Sequence, residues 1–178
     1  LYTWAGPEIA VATTKGYTSQ LSALYLLALH FGKIREKISR SDYLEMIQEL
    51  KTLPDKIENM LQDKEKIQYL ANQYIGLKDV FFLGRGIDYA SALEASLKLK
   101  EISYVHSEAY AAGELKHGTI SLIEDGTLVV ALVTQEQLYG KIVSNIVEVK
   151  TRGAFVLAVT NEDNTCLLYT SASPRDRS

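Results

Sequence analysis

The sequence predicts an α/β fold, a parallel sheet with helices on both faces, preceded by a run of helices. Three observations predict it. Short apolar runs recur in the second half at residues 79–83, 128–133 and 154–159. Segments with apolar residues at three- and four-residue spacing lie between them. The links are short, and strands alternating with helices imply right-handed crossovers that cover both faces of a parallel sheet.

The first helix is expected from Thr13 or Thr14, either a suitable N-cap, with Leu21, Leu24, Tyr25, Ala28 and Leu29 on its apolar positions. It should run about five turns and end near Gly32. After the polar stretch 34–42, two amphipathic helices are expected, from Ser41 or Asp42 to Leu53 and from Pro54 to Leu61, since proline suits a first turn. Another helix, Lys64 to Tyr74, leads to a buried strand at Asp79–Leu83. Gly84-Arg85-Gly86 then opens a helix from Asp88 to Ile102. A short strand follows near Tyr104–Ser107, then a short helix through Glu114 and Leu115. A strand at Leu128–Val133, a helix from Gln135 to Arg152 and a strand at Ala154–Val159 complete the pattern.

The 178 residues, 47% apolar and 23% charged, suffice for one domain and part of another. No apolar run approaches the roughly 20 residues of a bilayer span, so no membrane partner is expected. The start, LYTWAGPE, has neither an initiating Met nor the regions of a signal peptide, and we expect an internal segment of a longer protein. Cys166 is the single cysteine, which excludes an internal disulfide framework and fits a cytoplasmic location. A formal charge of -3 with mixed signs offers no basic stripe for nucleic acid. Residues 165–178, TCLLYTSASPRDRS, carry no helical or strand period, and CLLYTS followed by SPRD resembles a translated sequencing adapter. We expect them to be foreign to the fold, the other reading being a natural polar tail.

Residue chemistry alone leaves several features open. Gly84-Arg85-Gly86 sits where a strand feeds a helix, the ligand-binding edge of open α/β sheets, but a plain tight turn explains it equally. It lacks the third glycine of a dinucleotide fingerprint and the GK[ST] of a phosphate loop. Lys98 and Glu101 project from one helix face three residues apart, and by spacing alone a solvated ion pair is the ordinary reading. His117 could transfer protons near neutral pH, though a lone histidine is usually structural. The run from Ala5-Gly6-Pro7-Glu8 through Val11-Ala-Thr-Thr-Lys15 opens the first helix, where an anion, a polar sugar or simple capping would all fit. No metal-ligand spacing or nucleophile elbow occurs, so neither a metal nor a cofactor is expected.

Longer motifs narrow this. Phe82-Leu-Gly-Arg-Gly86, the run from Ala92 to Tyr104 and Ser107-Glu-Ala-Tyr-Ala-Ala-Gly-Glu-Leu-Lys-His-Gly118 together resemble the isomerase half of the glutamine–fructose-6-phosphate aminotransferase family. AGPEIAVATTK is similar to its first sugar-isomerase (SIS) domain, and the likeness covers residues 1 to about 163. The resemblance implies flavodoxin-like αβα sandwiches. Residues 1–37 would end a first SIS domain, 38–66 form a helical linker and 67–164 make a truncated second SIS domain. It also implies a glutaminase domain elsewhere in the parent chain, a homodimer, and conversion of fructose 6-phosphate with glutamine-derived ammonia to glucosamine 6-phosphate. The family's proton-transfer base matches Glu101, its sugar-site lysine Lys98, and its ring-opening histidine, from a neighbouring subunit, His117. Val11 and Thr13 match sugar contacts. Moving a proton between adjacent carbons suits a partly desolvated carboxylate beside an ammonium.

Thr119 stands where the family usually has proline after KHG. The family's Ser/Thr-rich phosphate loops would lie before Leu1, and the C-terminal tail that bears its Schiff-base lysine is expected to be replaced here by the adapter-like segment. The 178-residue chain is therefore expected to be inactive alone. Two other uses of such domains are an amino-sugar-phosphate deaminase or isomerase, and a non-catalytic sugar-phosphate sensor.

Overall fold

The structure, a computed structural model, describes residues 1–161. The expectations for Cys166 and for the segment 165–178 lie outside the described residues. The chain divides into two compact units, Leu1–Ile75 and the part from Gly76 onward.

The first unit is helical: α1 (Lys15–Ile34), α2 (Arg40–Leu61) and α3 (Lys64–Asn72). Helix α1 starts where expected, but neither threonine hydroxyl caps it. Thr14 is itself in the helical region of φ/ψ, and the Glu8 carboxylate accepts from Gly16 N at 2.8 Å instead. A carboxylate suits this end, where backbone N–H groups and the helix dipole are positive. The helix also passes through Gly32 to Ile34, with the turn deferred to Glu36 at a φ of 53°. The two helices expected on either side of Pro54 are one. Proline removes only the bond to the Leu50 carbonyl, and the 22-residue helix continues across that gap. Ser39 caps α2 by accepting from Asp42 N at 3.1 Å. Ser39→Ala is expected to cost about 1 kcal/mol of helix stability, read as lost helical circular dichroism in a peptide spanning residues 37–63.

The second unit is a four-stranded, wholly parallel sheet in the order β2-β1-β3-β4, built from β1 (Asp79–Gly84), β2 (His106–Ala111), β3 (Leu128–Val133) and β4 (Phe155–Thr160). Helix α4 (Ile87–Ser103) links β1 to β2, and α5 (Tyr139–Thr151) links β3 to β4. Alternation along the strands divides the core. Phe81, Leu83, Val129, Ala131 and Val133 pack with Ile142, Ile146 and Val149 of α5 and with Leu115 and Ile123 of the 112–127 connection. The intervening residues of β1, Val80 and Phe82, face the opposite side, toward α4. There the Ser107 hydroxyl donates to the Ser96 carbonyl at 2.8 Å, tying β2 to α4 in a buried site.

Strand β2 begins later than expected. Tyr104 takes the left-handed conformation, φ 59°, and ends α4, so the chain turns before pairing starts at His106 opposite Asp79. The short helix expected after it is two single 3₁₀ turns, Leu115–His117 and Thr119–Leu122. Among the described residues, no helix is long and apolar enough to cross a membrane.

Candidate functional site

Helix α4 buries Asp88, Ala92 and Ser96 toward the sheet. Glu94, Lys98 and Glu101 recur at four and three residues on its other side, forming one stripe near the C-terminal end. The Lys98 ammonium lies 2.5 Å from Glu101 Oε2 and 3.5 Å from Glu94 Oε1, bridging the two carboxylates. The three side chains are only 20–24% exposed, although Leu93 and Leu97 beside them stay open to solvent. The hydrogen bond to Glu101 is the main cause that raises the Lys98 pKa, with both carboxylates adding attraction. Lys98 thus stays an ammonium. The stripe can keep a carboxylate in place, beside a fixed positive charge, where a substrate proton could be collected and returned.

Glu94 was not singled out from the sequence, though its position four residues before Lys98 is the signal that finds it.

His117 occupies a different place. It ends the 3₁₀ turn Leu115–His117, whose Leu115 is fully buried among the side chains of the α5 face, and it is itself exposed. Glu101 sits on α4, on the opposite face. The sheet lies between them, so one copy of this unit does not bring Glu101 and His117 to the same small molecule.

At the carboxyl edge, β1 and β3 are neighbours whose helices leave toward opposite faces, the switch point where such sheets open a crevice. Gly84-Arg85-Gly86 stands there, and its own chain occupies it. Gln135 Nε2 donates to the Arg85 carbonyl at 2.5 Å, and the buried Asp88 carboxylate accepts from Thr134 N and Oγ1 at 2.9 and 2.5 Å. These bonds make the turn a structural junction, and Gly86 uses a positive φ of 56° to form it.

Val11 and Thr13 lie in the first unit, in the segment that enters α1. Both are exposed, and the Thr13 hydroxyl donates to the Val11 carbonyl at 3.4 Å. Among the described residues, no group of three or more His, Cys, Asp or Glu side chains is placed to hold a metal ion.

A four-stranded parallel sheet in the order β2-β1-β3-β4, flanked by α4 and α5 and carrying a charged stripe on α4, is a domain of the open α/β class. The SIS domain model matches residues 74–169, and the chain belongs to that family. Within it, the chain is 59% identical over 164 residues to the glutamine–fructose-6-phosphate aminotransferase [isomerizing] of Caldanaerobacter subterraneus subsp. tengcongensis, covering 92% of this chain and 27% of that one. It is 58% identical over 163 residues to the enzyme of the same name from Clostridium acetobutylicum, covering 91% and 27%. The chain therefore spans about a quarter of the length of these curated relatives. Among solved structures, the C-terminal domain of glucosamine-fructose-6-phosphate aminotransferase from Francisella tularensis superposes with a TM-score of 0.88 at 34% identity, covering 96% of this chain and 48% of that one. Glucosamine-6-phosphate deaminase from Thermotoga maritima gives a TM-score of 0.64 at 28% identity, covering 88% and 45%.

Proposed function

We propose that this chain is part of the isomerase region of a glutamine–fructose-6-phosphate aminotransferase, which converts fructose 6-phosphate and glutamine-derived ammonia to glucosamine 6-phosphate. The observation that carries this reading is the Glu94–Lys98–Glu101 stripe, held on an SIS fold in a chain so similar to enzymes of that name. Glu101 moves the proton between C1 and C2. Lys98 holds that carboxylate in place and offers its charge to the sugar oxygens. His117 assists ring opening, and the sheet between it and Glu101 favours its supply from a second copy, hence a homodimer. Residues 1–37 are read as the end of a first SIS domain, with Val11 and Thr13 touching the sugar, and residues 38–66 as a helical linker. A glutaminase domain elsewhere in the parent chain supplies the ammonia, and the enzyme works in the cytoplasm.

The test is product formation by a full-length enzyme carrying this segment. Glucosamine 6-phosphate should accumulate from fructose 6-phosphate and glutamine, and the isolated 178-residue chain should form none. Ammonia release from glucosamine 6-phosphate, with glutamine left unused, would instead identify a deaminase. Sugar-phosphate binding without turnover would identify a sensor.

A further inference from the structure

Three elements distant in sequence meet beside the turn that carries His117. Arg85, leaving β1, donates from Nε and Nη2 to Asn145 Oδ1 at 3.2 and 3.0 Å. Asn145, on α5 and 1% exposed, donates from Nδ2 to Glu148 Oε2 at 3.3 Å. The other oxygen of Glu148 lies 2.8 Å from the Lys116 ammonium. The chain of contacts thus runs from the carboxyl edge of the sheet to the residue before His117. The buried amide uses both its ends and the half-buried carboxylate both its oxygens, so Asn145 is fixed and Glu148 is held between Asn145 and Lys116.

The loop before His117 is held at several points. Ala112 N donates to the Gly84 carbonyl at 2.9 Å. Gly113 lies against the Arg85 guanidinium, where a Cβ would come within 3.2 Å of both terminal nitrogens. Leu115 is fully buried, and Lys116 is paired with Glu148. His117 is then exposed, and Gly118 at a φ of 130° turns the chain away. Pinning two consecutive residues while leaving the next exposed fixes the base of the imidazole without blocking its reach.

We propose that Arg85, Asn145, Glu148 and Lys116 are positioning residues for His117, a tether that holds its turn for the ring-opening step. This rests on the role given to His117 above. A proton-transfer group displaced by about 1 Å can lose up to about a hundredfold in rate, so a built tether has a purpose here.

The test uses the full-length enzyme carrying this segment. Glu148→Ala and Lys116→Met are each expected to lower kcat for glucosamine 6-phosphate formation about tenfold, with KM for fructose 6-phosphate changed less than about twofold. Glu148→Asp should restore most of the loss, because it keeps a carboxylate able to accept from both Lys116 and Asn145. In a His117→Ala background, neither substitution should lower kcat further. Lys116 is an exposed side chain, so its loss leaves the core intact and the result readable if Glu148→Ala fails to fold. If His117→Ala impairs turnover while Lys116→Met and Glu148→Ala leave kcat unchanged, or multiply with it, the tether is refuted. If His117→Ala itself leaves turnover intact, the role of His117 fails and the tether with it.

Discussion

Glu101→Gln in a full-length enzyme carrying this segment is expected to lower glucosamine 6-phosphate formation by about 10²–10⁴-fold while leaving glutamine hydrolysis in place. Glutamine has the size and shape of glutamate, and its amide oxygen can still accept from Lys98. What it loses is the ability to take up and return a proton. The helix should tolerate the change because the Lys98 ammonium keeps a second carboxylate, Glu94, at 3.5 Å, so no charge is left without a partner. Parallel assays of the two half-reactions decide the matter. Equal loss of both would point to collapse of the structure, and full retention of product formation would remove Glu101 from the chemistry.

Gly84→Ala is expected to have the largest effect on stability. A Cβ there would lie 2.4 Å from the carbonyl carbon and oxygen of Asp88 and 2.5 Å from Tyr89 N. These are backbone atoms in the first turn of α4, and they cannot swing aside as a side chain could. The same turn carries the Asp88 carboxylate that holds Thr134, so displacing it also breaks the junction between β1 and β3. The cost should reach about 3 kcal/mol, at the upper end for overpacking, and lower the melting temperature by more than about 10 °C. Gly140→Ala is the matched control. It lies in α5 with open space where its Cβ would be, and should be neutral or stabilise by up to about 1 kcal/mol. An unchanged melting temperature for Gly84→Ala would show that the end of β1 and the start of α4 are not pressed together as described.

Strands β1 and β3 were legible in the sequence because a central strand buried on both faces is a short unbroken apolar run, as in Leu128–Val133, and β4, although at the edge and partly exposed, carries the similar run Phe155–Val159. Strand β2 was expected but its bounds were misplaced, since His106-Ser-Glu-Ala-Tyr-Ala111 mixes polar with apolar residues and has no unbroken apolar run to mark its ends. Its start depended on Tyr104, whose left-handed conformation no local pattern announces. The boundary at Pro54 was misplaced for a related reason: a proline signal is local, whereas the persistence of α2 through it reflects the whole 22-residue helix.

For the candidate site, the sequence by itself determined which residues stand three and four apart on α4, and therefore that Glu94, Lys98 and Glu101 share one stripe. Helical geometry makes that a local property. It also contained the long motifs that relate the chain to the SIS family. Only the tertiary structure decided that the sheet separates Glu101 from His117, since that depends on which face each crossover takes. The same holds for Arg85 and Asn145, 60 residues apart in the chain yet in direct contact. Their meeting depends on β1 and β3 lying side by side, a consequence of strand order that no spacing within the sequence encodes.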